Sequence, residues 1–215
     1  MSARLHWALR PATAADSGFL QQVYASTRAD ELACTGWHAA QCDAFVAQQY
    51  RAQTSHYQAQ WPDAVLSVIV AGSRVGDRAG GGAGDGSGGG TGGCTRSAGG
   101  IAAAGNTPQD VGRLWLHQRS DAIHVLDIAL LAGCRGQGIG TLCLQALQCQ
   151  AQHSGLALTI CVEVGNPARR LYDRLGFWPV GAADGVYQRM AWRPAAAQST
   201  RPVVAQSMET CDEQT

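Results

Sequence analysis

Residues Asp127 to Leu142 read DIALLAGCRGQGIGTL. An apolar run ends here, the chain turns through Arg135, Gly136, Gln137 and Gly138, and a helix starts at once with Ile139, Gly140 and Thr141. Glycines let backbone N–H groups approach a ligand closely. The free amides at a helix start, together with the helix dipole, favour a phosphate there, and Arg135 adds a fixed positive charge. A purely structural turn can look the same, so the flanking sequence decides.

Downstream, the helix runs to about His153 with Ile139, Leu142, Cys143, Ala146 and Leu147 on one face. Leu156–Val164 is a strand. Asn166 and Pro167 open the next helix as N-cap and first residue, and Gly176 closes it. Phe177–Val180 and Val186–Trp192 are two final strands. Upstream, Leu5–Arg10 is a first strand, and Thr13 is an N-cap with Asp16 as an acidic variant of the capping box. Phe19, Leu20, Val23 and Tyr24 recur at helical spacing, and a second helical stretch runs from Trp37 to Gln60. Val65–Ala71, Val111–His117 and Ala122–Leu130 are strands, with Asp121 in the turn before the last. The order β-α-α-β-β-β-α-β-α-β-β predicts an α/β (α+β) domain with a mixed sheet and helices on both faces.

The stretch at about 72–110 is different in kind. Its middle, GDRAGGGAGDGSGGGTGGCTRSAGG, carries too little apolar surface to repay the entropy of ordering it, so it reads as a flexible insertion in one domain spanning 1–193. It lacks the strand–turn–helix context of a phosphate loop. From 194 to 215 the chain is polar and reads as a disordered tail.

Composition bounds the rest. With 215 residues, 46% apolar, the chain can bury a sizeable core. Its formal charge of zero gives no argument for nucleic acid or an anionic membrane as partner. Eight cysteines form no C-x-x-C pair, so no metal is expected. Cys143 and Cys161 read as buried thiols inside apolar runs. The N-terminus lacks the apolar stretch of a signal peptide, and no segment approaches a membrane span. Free thiols without a signal point to a cytoplasmic protein.

A second segment, NPARRLYDRLGF from Asn166 to Phe177, resembles what the GNAT superfamily of acyl-CoA N-acyltransferases carries after its fifth strand, N-x-x-A/R-x-x-L-Y-x-x-x-G-F. The R-G-Q-G-I-G turn resembles that family's pyrophosphate loop, R/Q-x-x-G-x-G/A, and LRPATAAD resembles its first strand and helix. The two motifs are separated by one helix and one strand, and the resemblance covers roughly Leu5 to Arg193. It implies a GNAT fold, a mostly antiparallel sheet of about seven strands, and acetyl-CoA as acyl donor. The implied pyrophosphate site is the run of amides Arg135, Gly136, Gln137, Gly138, Ile139, Gly140 and Thr141. The pantetheine arm would pair with Ile128, Ala129 and Leu130 where two strands splay apart. A backbone N–H near Leu130 would polarise the thioester carbonyl. Asn166 and Arg169 would hold the arm, and Tyr172 would protonate the departing thiolate.

The base stays open among His124, Glu163 and Asp127, with ordered water as another route. Strand alternation puts Asp127 on the opposite face from His124 unless a bulge intervenes. The first two helices and their link offer Arg28, Glu31 and Trp37 for gripping an amine. The expected reaction is acetyl transfer to a primary amine of a small molecule, amino acid or peptide, by a monomer or homodimer. An acyl-CoA sensor of the same fold is the alternative. An acyltransferase acting on aminoacyl-tRNA would call for a basic face, which the charge balance disfavours.

Overall fold

In the computed structural model, which describes residues 4–74 and 108–194, every described strand joins one sheet. The elements are β1 (Arg4–Pro11), α1 (Ser17–Ala33), α2 (Ala39–Gln60), β2 (Val65–Arg74), β3 (Gln109–Gln118), β4 (Ala122–Leu130), α3 (Ile139–Ser154), β5 (Ala157–Glu163), α4 (Arg169–Arg174), β6 (Trp178–Pro179) and β7 (Tyr187–Trp192). Short 3-10 turns precede α1 and α3. The spatial order is β1-β2-β3-β4-β5-β7-β6. All neighbours are antiparallel except β4 and β5, which α3 connects in parallel.

The order of elements is the one the sequence predicts; several boundaries move. β2 runs on to Arg74 and β3 begins at Gln109, so both edges of the supposed insertion are strand, paired as Ala71↔Gln109 and Arg4↔Arg74. The remainder of that stretch, and the tail expected after 194, lie outside the described residues. α4 begins at Arg169 rather than after Asn166. Asn166 instead caps a preceding turn, its Oδ1 accepting the Ala168 N–H at 2.9 Å.

The sheet carries a layer on each face. On one, Ile139, Cys143, Leu144, Leu147 and Ala151 of α3 pack over Leu114, Ile123, Val125, Leu158 and Ile160. Leu144 and Ala151, rather than Leu142 and Ala146, complete the buried stripe, because the stripe drifts round the helix with its 3.6-residue period. On the other face Leu20 and Tyr24 of α1 and Val46 and Tyr50 of α2 cover Val68. Cys143 is fully buried. Cys161 is not: it points from β5 to the face that α1 and α2 leave uncovered, and it is disulfide-bonded. That withdraws one support for a reducing compartment. Among the described residues no helix is long and apolar enough to cross a membrane.

Candidate active site

The centre of the site is a failure of pairing. β4 and β5 are paired from Ala122↔Ala157 to Val125↔Ile160 and no further, although β4 continues to Leu130 and β5 to Glu163. The cause is visible on the other edge of β4. Trp115 opposes Asp127 and Leu116 opposes Val125, so Leu126 is an extra residue. Such a bulge bends the strand and raises its twist. The Tyr57 hydroxyl donates to the Leu126 carbonyl at 3.2 Å and holds it. Beyond the bulge the Leu131 N–H bonds Val111 O at 2.9 Å. Antiparallel alternation then turns the N–H and C=O of Ile128 and Leu130 away from β3, into the gap, and those of Ala129 toward β3. Ala129 is therefore used by the sheet and offers the gap nothing. Gly112 permits this close approach, since a Cβ there would overlap the Ala129 carbonyl and the Leu130 side chain.

The glycine turn lies directly beyond β4. Gly138, at φ 86°, is the N-cap of α3, a conformation that strains any residue bearing a Cβ. The first helical bond runs from Leu142 N–H to Gly138 O, so the amides of Ile139, Gly140 and Thr141 have no partner within the helix. No side chain caps this end and its first turn holds no acidic residue. Gln137 braces the loop by donating to Gly133 O at 2.7 Å. The Ile139 side chain is core, so only its amide is available. The Arg135 guanidinium donates to Leu130 O and Ser26 O, at 2.9 and 2.8 Å.

Tyr172 is held in the layer of α3 because α4 ends in a Schellman motif. The Gly176 N–H bonds Asp173 O, the Phe177 N–H bonds Tyr172 O, and Gly176 is left-handed at φ 79°. Tyr172 and Phe177, the two ends of that motif, pack edge to face at 5.8 Å. L-Y-D-R-L-G-F is thus a local device that fixes the Tyr172 backbone. Gln148 of α3 ties down the same turn by donating to Leu175 O at 2.7 Å. The Tyr172 ring is buried, and burial, with the Asp127 charge, pushes its phenol well above the ordinary range. Tyr172 packs with the α3 layer, whereas Asp127 faces α1 and α2. The Asp127 charge reaches the neutral phenol across the split sheet.

The bulge also revises the candidates for base. It puts Asp127 on the same face as His124, because their partners Trp115 and His117 are two residues apart on β3. Asp127 pairs there with Arg113, which is only 2% exposed and also donates to Gln53 Oε1 at 2.9 Å beneath the Tyr24 and Tyr50 rings. A carboxylate paired with a buried cation is committed to that partner, because moving it would leave the cation uncompensated. His124 lies on the paired part of β4, before the gap, within 2.6 Å of Thr159 Oγ1 and stacked on His117. Burial, then the Arg119 and His117 charges, lower it to about 4. Glu163, at the free end of β5, receives the Tyr187 hydroxyl at 3.4 Å. Burial and then the Glu163 charge raise the Tyr187 phenol, and Arg28 and Glu31 act on it too, which brings these four groups into one region. Arg28 and Glu31 are ion-paired at 3.1 Å. Trp37 is not with them: it is 44% exposed and rests edge-on against Phe45.

Sequence reasoning missed Arg113, Tyr187 and Ser26. An arginine inside V-G-R-L-W-L was the available signal for the first, since a charge at a core position of a strand needs a partner. Nothing in the sequence marks the other two. Among the described residues no group of His, Cys, Asp or Glu is arranged to hold a metal ion.

A seven-stranded mixed sheet split between its parallel strands, with free amides beyond the split, is the fold of the GNAT acetyltransferases. Residues 95–177 match the model of the acetyltransferase (GNAT) family. The PaiA N-acetyltransferase of Thermoplasma acidophilum, solved in complex with coenzyme A, is similar with a TM-score of 0.53 at 13% identity, over 88% of this chain and 99% of that one. An acetyltransferase from Thermus thermophilus gives 0.52 at 16% identity, over 90% and 100%. A domain from Methanocaldococcus jannaschii gives 0.55 at 11%, over 89% and 100%. At these identities the likeness establishes the fold. No curated protein matches the chain in sequence.

Proposed function

We propose that this protein transfers an acetyl group from acetyl-CoA to a primary amine by direct attack in a ternary complex. The observation that carries the reading is the gap itself: Ile128 and Leu130 backbone that β5 leaves without a strand partner on one side, and the free amides of α3 at its end. The pyrophosphate rests on the amides from Gly136 to Thr141. The pantetheine arm takes the place of a strand against Ile128 and Leu130, with the Asn166 side-chain NH2 and Arg169 nearby in chain order. The Leu130 N–H polarises the thioester carbonyl.

The acceptor amine enters from the face of α1 and β7, where Glu163, Tyr187, Arg28 and Glu31 gather. Its nitrogen attacks the carbonyl carbon, the C–S bond breaks, and Tyr172 gives its proton to the sulfur. Glu163, directly or through water, takes the proton lost by the amine; His124 is too far along the paired strand for that role. The chain's own residues supply polarisation, proton transfer and orientation. Incubating the protein with acetyl-CoA and a panel of small amines, amino acids and peptides, while following free thiol, tests the reading. Thiol release must depend on an amine. CoA binding without amine-dependent release from any of the panel would favour an acyl-CoA sensor.

A further inference from the structure

Arg135 is exposed and lies beside the loop proposed to cradle pyrophosphate, yet its side chain is committed elsewhere. Its Nε donates to Leu130 O at 2.9 Å. Its Nη2 donates to both Ser26 O, at 2.8 Å, and Ser26 Oγ, at 3.1 Å. The Ser26 hydroxyl donates to Val23 O of its own helix at 2.8 Å, which leaves its oxygen lone pairs for Arg135. One guanidinium therefore joins the end of β4, the loop and the middle of α1. We propose that Arg135 is a positioning residue that straps α1 to the cofactor loop, so that occupation of the loop fixes the helix carrying Arg28 and Glu31.

Three features make this a strap. Leu130 O is turned off the sheet by the alternation beyond the bulge, so it needs a donor from outside β3. Ser26 O already serves its own helix and takes Arg135 on its second lone pair. A planar fork can bridge two acceptors on different elements at once, which the single nitrogen of lysine does not reproduce. Ser26 precedes Arg28 by two residues and Glu31 by five, so a shift at Ser26 moves both.

The inference rests on the acyl-CoA reading of the loop, and its test separates the two. Hydrogen–deuterium exchange of α1 is measured with and without CoA, and CoA affinity by calorimetry, in the wild type, Arg135→Ala and Arg135→Lys. Without CoA, amides from Ser26 to Ala33 should exchange at least about fivefold faster in both variants, while α3 and β5 stay unchanged. CoA should slow α1 exchange in the wild type and lose that effect in both variants, with CoA affinity within about threefold. The lysine variant keeps the charge, so it covers the case in which the alanine variant folds poorly. Unchanged α1 exchange in either variant without CoA overturns the strap, whatever CoA does. A CoA affinity loss of about tenfold or more in Arg135→Ala, rescued in Arg135→Lys, makes Arg135 a phosphate ligand and overturns it too. A wild type that binds no CoA but shows the faster α1 exchange in the variants sinks the acyl-CoA reading and leaves only the mechanical bond.

Discussion

Replacing Thr141 by Asp sets the helix against its proposed ligand. Thr141 is the third residue of α3, half-buried, in a first turn with no acidic side chain and no side-chain cap. A carboxylate at this position is favourable for the helix: it meets the positive end of the dipole and can accept an unpaired amide, a gain of ~0.3–1 kcal/mol. The free protein should therefore melt at the same temperature or slightly higher. For a bound pyrophosphate the same carboxylate is a competitor and a like charge. Side chains one helical turn apart are separated by about 6 Å. Two phosphate charges at roughly that distance are repelled by ~1.4 kcal/mol even at the dielectric of bulk water, a loss of about tenfold in affinity.

The assay is CoA titration by calorimetry at low ionic strength, where the Debye length of ~30 Å leaves the repulsion unscreened, alongside thermal melting of the free protein. The expected result is opposite in sign for the two measurements: stability kept or raised, CoA affinity down tenfold or more, and the loss shrinking as salt is added. Thr141→Asn, with the same shape and no charge, should bind CoA close to wild type. If the Asp variant were stable and bound CoA as the wild type does, the amides of α3 would not be the pyrophosphate site. The variant is more informative than a change at Gly138, whose left-handed backbone would be strained by any side chain, mixing a folding defect with a binding one.

Tyr172→Phe should lower turnover by ~10²–10⁴-fold with CoA affinity nearly unchanged, because the ring packing is kept and only the donor is lost; a loss under about threefold, with chemistry rate-limiting, would leave Tyr172 as a core aromatic. Since its phenol is raised by burial and by Asp127, no alkaline limb due to Tyr172 should appear below about pH 10. His124, lowered to about 4 from 6.5, binds its proton more weakly in the folded chain, so its contribution to stability is complete above about 6.5 and is lost as pH falls toward 4. Thermal melting at pH 7 and at pH 4.5 should show that loss in the wild type and a smaller one in His124→Gln; equal losses would refute the assignment. Deleting 75–107 and joining Arg74 to Pro108 by a short turn should keep stability and CoA affinity, as closure entropy changes only slowly with the length of a connection. A wider cut, into Gln109 and Asp110, should cost stability, because Asp110 accepts Arg10 at 2.6 Å.

The parts of this site that the sequence discloses are those built by local rules. The glycine turn, the helix start and L-Y-D-R-L-G-F each need particular residues at fixed spacing: left-handed glycines at 138 and 176, an aromatic three positions before the C-cap and another two after it. Those requirements are written into consecutive positions, and the structure finds both glycines left-handed. What sequence reasoning could not reach depends on pairing between distant strands. The bulge at Leu126 exists only in the register of β3 against β4, and one skipped residue decides that Asp127 and His124 share a face. Once that is known, Arg113 ceases to be an oddity in an apolar strand: it is the partner that Asp127 acquires when it is turned inward, and the pair removes Asp127 from the candidates for base. The same holds for Arg135. Its position in the loop motif suggests a phosphate partner, and only the tertiary approach of α1, 109 residues away in sequence, supplies the carbonyl that takes it. Turns and helix ends are thus legible before the fold is known, whereas the partner that a side chain on a bulged strand acquires is a property of the register.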